Sequence, residues 1–265
     1  MTDNDLNVDF NRDVAVLTLN RPVKLNALDV ATRVRLAAAI REFGTGEAVR
    51  GIVLTGAGRA FSAGEDLRTA PESYDEFQRA FATFHDITRA ILQTTVPVIA
   101  AVNGIAVGGA SEITLCCDTR IGTEKTEFYQ PENHRGIIIS NASSVLMGRL
   151  LGHHAIPLIL GAGLIDAHEA LRIGLLQEIV AADALLDRAI DLITSWTADP
   201  MIAALHLRLL RPQPAEIESA FAREDQAARE AWDSGAFTAG IERFLASKRE
   251  ARDTSRPRTS DRSLL

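Results

Sequence analysis

The chain has 265 residues, of which 46% are hydrophobic and 24% charged, with a formal net charge of −7. That balance excludes a fibrous or disordered chain, suits one large α/β domain with at most a small appendage, and argues against nucleic acid as a partner. The two cysteines, Cys116 and Cys117, are adjacent and offer neither a disulfide framework nor a zinc-ligand spacing.

The N-terminus is acidic and polar, unlike a secretory signal. Gly, Asn and Pro interrupt the most apolar stretch, Val96–Cys117, before it reaches membrane-spanning length. The expectation is a cytoplasmic protein without membrane association. In chain order, "LNVDF" and "VAVLTL" alternate around "NRD" and predict a hairpin. Asp29 predicts a helix cap, with Val30, Val34, Leu36, Ala37, Ile40 and Phe43 as the apolar positions of a helix through about Phe43. "GIVLTG" predicts a buried strand followed by the Gly-rich loop "GAGRAFSAGEDL". Phe77, Phe81, Phe84, Ile87 and Ile91 share one face of a helix over Tyr74–Gln93. "PVIAAVNG" predicts a second buried strand that stops at Asn-Gly. A Gly turn, a short helix holding Glu112 and a strand over Asp118–Gly122 follow. From Ala142 onward the pattern is mostly helical, with a stop near Gly174. Residues 1–195 read as a βα core domain, 196–252 as a helical C-terminal region, and the Ser/Arg/Pro-rich 253–265 as a disordered tail.

Glu112 is the only charged side chain between Arg89 and Asp118. A lone carboxylate among apolar and small residues is costly to ionise. A second acid, Glu132, precedes another apolar run in "YQPENHRGIIISNAS". Brought together, the two would form a general acid/base pair, because burial and a like-charged neighbour raise carboxylate pKa values toward neutrality. Apart, each is a satisfied structural carboxylate or a helix cap. Two Gly-containing turns, "FSAGEDL" and "AVGGASE", each follow a buried strand, and Gly108–Gly109 opens a helix with free amides. Such amides either converge on one developing oxyanion or simply close two tight turns. The Gly–Lys–Ser/Thr ending of a phosphate loop is absent.

The segments "LNRPVKLNALD", "GAGRAFSAGEDL", "PVIAAVNGIAVGGASEITLCCD", "FYQPE", "EALRIGLLQEIV" and "FLASKR" resemble, in this order, the crotonase superfamily of enoyl-CoA hydratases and isomerases, from about Leu6 to Arg249. The resemblance implies an α/β crotonase-like fold of repeated ββα turns, with two roughly perpendicular sheets and a helical C-terminal trimerisation region, assembled as a homotrimer or homohexamer. It implies an enoyl-CoA hydratase acting on an acyl-CoA, with coenzyme A supplied by the substrate and no metal or separate cofactor. The backbone N–H groups of Glu65 and Gly109 would hold the thioester oxygen. Glu112 would orient or deprotonate water and Glu132 would supply the proton to Cα. The adenine end of coenzyme A would lie near Ala63 and Asp66, Gly108 would border the substrate, and Lys24 or Lys248 would meet the phosphates. Isomerases of the family work with the acid matching Glu132 alone, so keeping both acids favours water addition. Double-bond isomerisation, thioester hydrolysis, ring opening and silent acyl-CoA binding are the rivals.

One segment departs from the family pattern. Asn133, His134 and Arg135 stand where aliphatic residues are usual, which places them as candidates for an acyl pocket of more polar or hindered character. Ser140 stands where a family Gly would offer its N–H to the catalytic water. The Glu65 carboxylate has several options: the acyl pocket, a pair with Arg135, solvent, or a cap for the next turn. His153–His154 lack the partner spacing of a metal site.

Overall fold

A computed structural model describes residues 5–67 and 71–254, with side chains up to Ser247. The chain runs β1 (Leu6–Asn11), β2 (Val14–Leu19), α1 (Val30–Phe43), β3 (Gly51–Gly56), β4 (Ala60–Ser62), α2 (Tyr74–Leu92), β5 (Val98–Val102), β6 (Ile105–Val107), α3 (Gly109–Cys116), β7 (Thr119–Gly122), β8 (Glu127–Tyr129) and α4 (Glu132–Arg135). It continues with α5 (Ser143–Leu151), α6 (Ala155–Gly161), β9 (Leu164–Asp166), α7 (Ala167–Arg172), β10 (Glu178–Ile179), α8 (Leu185–Trp196), α9 (Pro200–Leu210), α10 (Pro214–Asp233) and α11 (Ala236–Thr254).

Two sheets form. The larger has the order β1-β2-β3-β5-β7-β10, antiparallel at the β1–β2 hairpin and parallel thereafter. The smaller has the order β4-β6-β8-β9, with β9 antiparallel. Three successive ββα units, β3-β4-α2, β5-β6-α3 and β7-β8-α4, each give one strand to each sheet. This repeat matters for function, because the segments after β4, β6 and β8 are thereby stacked side by side.

The central strands are apolar throughout because both faces are covered. Val14, Val16, Val53, Ile99, Ala101 and Ile121 pack under Leu185, Ala189, Ile190 and Ile193 of α8. Their chain neighbours Ala15, Leu17, Ile52, Leu54, Val98 and Ala100 point the other way, into the main core. The strands of the second sheet have at most three residues, too few for a period of two to appear in the sequence. Among them, β9 lies in the stretch expected to be helical.

Helix α1 begins where expected, with the Asp29 carboxylate accepting the Thr32 N–H at 2.8 Å. Its buried face is only partly the expected one: Leu36, Ala37 and Ile40 are buried as expected. Val30 and Val34 are 45% and 51% exposed, whereas Thr32 and Arg33 are buried alongside Leu36, Ala37 and Ile40. The helix is rotated so that Arg33 faces inward to an acid described below, and Val30 and Val34, one turn apart, share the outer stripe. The C-terminal helix α11 extends to Thr254, two residues into the expected tail; the remainder of that tail lies outside the described residues. Helix α11 lies directly on α4: a Cβ on Gly240 would sit 1.6 Å from the Arg135 carbonyl oxygen, so only glycine permits that crossing.

Candidate active site

The segment after β4 is held by Leu28. The Leu28 N–H donates to the Gly64 carbonyl at 2.8 Å and the Asp66 N–H donates to the Leu28 carbonyl at 3.1 Å. Both bonds of this parallel bridge fall on the neighbours of Glu65, so the Glu65 N–H itself points to the opposite side. After β6, Gly108 takes φ +55° and ψ −129° to start α3, and Gly109 supplies an amide of the first helical turn, which has no helical acceptor. The two turns abut: a Cβ on Gly64 would lie 3.9 Å from the Gly109 nitrogen. Among the described residues neither the Glu65 nor the Gly109 amide has an acceptor.

Glu112 lies one turn into α3 and is 1% exposed. Its Oε2 accepts the Ser140 hydroxyl at 2.6 Å, the Ser140 N–H at 3.0 Å and the Asn141 Nδ2 at 3.1 Å, while Oε1 accepts the Ser140 N–H at 3.1 Å. Burial, and then the charge of Glu132, push Glu112 well above the ordinary carboxylate range, against the pull of these donors. Glu132 opens α4 after β8 and is 6% exposed. Burial raises it to about 7, opposed by its own backbone N–H and by Arg135. One of its oxygens, Oε2, has no hydrogen-bond partner among the described residues, and the other would sit 2.6 Å from a Cβ on Gly108. Gly108 is thus required twice, by its positive φ and by the carboxylate above it. Both acids, both amides and Ser140 border one cavity of about 40 Å³, room for about one water molecule. An open cleft of about 610 Å³ adjoins it, sharing Glu65 and Leu67 and including Leu28, Arg33 and Asp66 in its walls.

The sequence profile described as enoyl-CoA hydratase/isomerase matches residues 9–252. The chain belongs to the enoyl-CoA hydratase/isomerase family, within the crotonase superfamily. Family relatives include a probable enoyl-CoA hydratase of Rhizobium meliloti, 36% identical over 80% of this chain and 88% of the relative. A short-chain-enoyl-CoA hydratase of Clostridium acetobutylicum is 35% identical over 87% and 92%. A solved enoyl-CoA hydratase from Mycobacterium avium subsp. paratuberculosis superposes with a TM-score of 0.81 at 27% identity, covering 92% of this chain and 96% of that one. The fold is the crotonase fold.

Within this crotonase fold, Glu65, Gly108, Gly109, Glu112, Glu132 and Ser140 come together, and Ala63 lines the same cavity. Ser140 differs from the expectation: its N–H is directed to Glu112 and not left open for a water. Of the three candidates for the acyl pocket, only Arg135 lines the cavity. Asn133 and His134 are exposed, and Asn133 Nδ2 donates instead to the Leu160 carbonyl at 2.9 Å. The physical reason is the single turn of α4: with Glu132 facing inward, the next two residues project outward and the i+3 residue returns. The Glu65 carboxylate meets Arg33 at 3.3 Å, and not Arg135. Asp66 pairs with Arg21 at 3.3 Å. Lys24 is exposed at the end of a 3₁₀ turn, and the Lys248 side chain lies outside the described residues. No group of three or more His, Cys, Asp or Glu side chains among the described residues is placed to hold a metal ion.

Four further residues belong to the site. Arg33, 1% exposed, ties Glu65 to α1, and its guanidinium lies 4.2 Å from the centroid of the Phe84 ring. Phe84 in turn presses on Gly109, where an added Cβ would meet the ring at 2.7 Å. The two amide-bearing turns are therefore braced by one stack. Asn141, at φ +60°, spans Glu112 and the Thr88 hydroxyl, which donates to Asn141 Oδ1 at 3.0 Å. Glu224 of α10 accepts the Ala142 and Ser144 N–H groups at 3.0 and 2.9 Å and so anchors the Ser140–Ala142 turn. Phe84 was the most legible of the four, as one of the apolar positions that share a face of α2; Arg33 was passed over, although its spacing from Leu36, Ala37 and Ile40 places it on the buried side of α1.

Proposed function

We propose that the protein is an enoyl-CoA hydratase, adding water reversibly to a 2-enoyl-CoA thioester through an enolate. The reading is carried by one observation: two buried carboxylates, Glu112 and Glu132, beside two amides that lack acceptors among the described residues. The thioester oxygen accepts from the Glu65 and Gly109 N–H groups as negative charge develops on it. Each such donor is worth about 2.7–4 kcal/mol of barrier. Burial raises both carboxyl groups, and their mutual repulsion disfavours the doubly ionised pair, so the reaction runs through the form of the pair that holds one proton. With Glu112 ionised and Glu132 protonated, Glu112 takes a proton from the water attacking Cβ and Glu132 gives its proton to Cα. The pair is left as the opposite tautomer, which is the starting state for dehydration.

In this reading coenzyme A lies in the cleft beside Asp66, with its adenine end near Ala63 and Asp66 and Lys24 toward the phosphates. Coenzyme A arrives with the substrate, and no metal or separate cofactor takes part. Incubation with crotonyl-CoA in ¹⁸O-labelled water tests the reading: 3-hydroxybutyryl-CoA should carry the label at Cβ. A processed substrate with no oxygen at Cβ overturns it. The second reading is double-bond isomerisation, favoured by the commitment of the Ser140 N–H and hydroxyl to Glu112. In that case Glu132 alone moves a proton between carbons, and a 3-enoyl-CoA is converted without gain of oxygen.

We also propose assembly as a homotrimer or homohexamer through residues 196–252. Helix α9 has no buried residue, and Met201, Leu209 and Leu210 are 68%, 73% and 81% exposed, an apolar surface suited to a subunit contact. A monomer by light scattering at micromolar concentration would remove this part. A cytoplasmic location is proposed with it; no helix among the described residues is long and apolar enough to cross a membrane.

A further inference from the structure

We infer that Arg135 selects 2-enoyl-CoA substrates whose acyl chain ends in a carboxylate. The inference rests on the reading of the cavity as the acyl site and goes further by naming the acyl group.

The observation is an arginine without an oxygen partner. Nine arginines among the described residues are not exposed. Eight of them donate to oxygen: Arg21, Arg33, Arg35, Arg50, Arg89, Arg120, Arg188 and Arg211 all have carboxylate, carbonyl or amide acceptors. Arg135 is the ninth. Its guanidinium is held by rings, 4.4 Å from the Phe244 centroid and 5.8 Å from that of Tyr129, and it donates to no acceptor among the described residues. It is not bonded to the nearby Glu132, whose Oε2 itself lacks a partner. A planar cation with five donors, fixed in place by aromatic stacking and left without an acceptor, is a ready site for a carboxylate.

Position supports the same assignment. Arg135 lines the cavity one turn beyond Glu132, on the same wall. Phe81, Ile137 and Ile138 line the same cavity as Arg135, so an acyl chain whose thioester oxygen meets Glu65 and Gly109, and whose Cα meets Glu132, would part these side chains to fit and lie among them with Arg135 within its surroundings. The apolar side chains suit the intervening methylenes. A neutral terminus would leave the guanidinium desolvated without a partner, whereas a carboxylate gives it charge-assisted hydrogen bonds.

The test compares saturated, unreactive thioesters by calorimetry, glutaryl-CoA against butyryl-CoA, and then kcat/KM for glutaconyl-CoA against crotonyl-CoA. The wild type should favour the carboxylate-ended member by about 10- to 100-fold. Arg135→Met should bring the binding ratio close to one, and Arg135→Lys should keep part of the preference. Equal or tighter binding of butyryl-CoA by the wild type overturns the inference without any variant. So does an Arg135→Met protein that weakens both ligands equally, which would make Arg135 a support for Glu132. Because binding needs no turnover, a strong glutaryl-CoA preference without hydration would defeat the hydratase reading and leave this one standing.

Discussion

Replacing Ser140 by alanine deletes one contact and keeps the rest of the acid pair's surroundings. The hydroxyl donates to Glu112 Oε2 at 2.6 Å, while the Ser140 N–H and Asn141 Nδ2 continue to donate. A hydrogen bond to a charged acceptor contributes about 1.5–3 kcal/mol, and 1.36 kcal/mol corresponds to one pH unit, so the loss moves the pair by about one unit, with Asn141 compensating part of it. The sign follows from the donor. A hydroxyl stabilises the ionised carboxylate, so its removal makes the pair hold its protons more tightly and moves both limbs of the pH–rate profile upward. In the wild type the alkaline limb marks loss of the pair's last proton and begins near or above the value of about 7 to which Glu132 is raised. The assay is kcat/KM for crotonyl-CoA hydration from about pH 5 to 10, followed by loss of the conjugated thioester absorbance. Dehydration of 3-hydroxybutyryl-CoA must give the same kcat/KM profile, because hydration releases no net proton and the two directions use two tautomers of one singly protonated pair. A limb that stays in place while kcat falls, or one that moves to lower pH, would refute the assignment of Ser140 to the titrating pair.

Three other outcomes follow from the same geometry. Glu132→Gln mimics the protonated acid: with the folded-state pKa raised from 4.5 to about 7, the wild type loses stability as pH rises through that window, by about 3 kcal/mol at most. Urea unfolding should find the variant and wild type alike near pH 4 and the variant more stable near pH 8; equal stability at both values contradicts the burial of an ionisable Glu132. Glu65→Ala strands the buried Arg33 charge and should cost about 3 kcal/mol, while Arg33→Met leaves an acid that is one-third exposed and should cost much less, so denaturation midpoints in the reverse order would show that the ion pair does not brace this turn. Gly240→Ala, ordinarily favourable in a helix by about 1 kcal/mol, should instead destabilise by about 1–3 kcal/mol, because its Cβ would meet the Arg135 carbonyl at 1.6 Å; a raised melting temperature would place α11 away from α4.

Much of this site was legible before any coordinates, and the reasons differ by residue. Glu112 stood out because an isolated charge in an apolar run needs a partner or a purpose, and it has both in Ser140 and Asn141. The amide-bearing turns were marked by glycines after buried strands, though their convergence came from the family resemblance and not from spacing. The long helices and central strands followed from period and capping. What escaped was set by tertiary placement. The second sheet is made of strands too short to show alternation. Glu224 was one acid among many on a charged helix, and nothing local separates it from Glu216 or Glu218. Asn133, His134 and Arg135 looked equivalent in sequence, yet a single turn of helix turns the first two outward and the third inward.

The repeat explains why chemistry can collect here at all. Each ββα unit ends its second strand at the same level, so three loops that are distant in sequence deliver Glu65, then Gly109 with Glu112, then Glu132, to one small cavity. The repeat brings the acids together but does not decide how they divide the work; that falls to the turn after α4. The backbone N–H at position 140 is directed to Glu112, and the serine adds its hydroxyl to the same carboxylate, a donor that glycine lacks. Water addition therefore requires a substrate-bound arrangement in which at least one of these donors, or an oxygen of Glu112, is given over to the attacking water. With the Ser140–Glu112 contacts intact, two acceptor positions face the substrate among the described residues: the unpartnered Oε2 of Glu132, and Oε1 of Glu112, which accepts only the shared Ser140 N–H. A complex with a non-hydrolysable acyl-CoA analogue would show which of these oxygens takes a water: one held by Glu112 Oε1 at Cβ fits hydration, whereas Glu132 alone at the substrate carbons fits proton transfer between them.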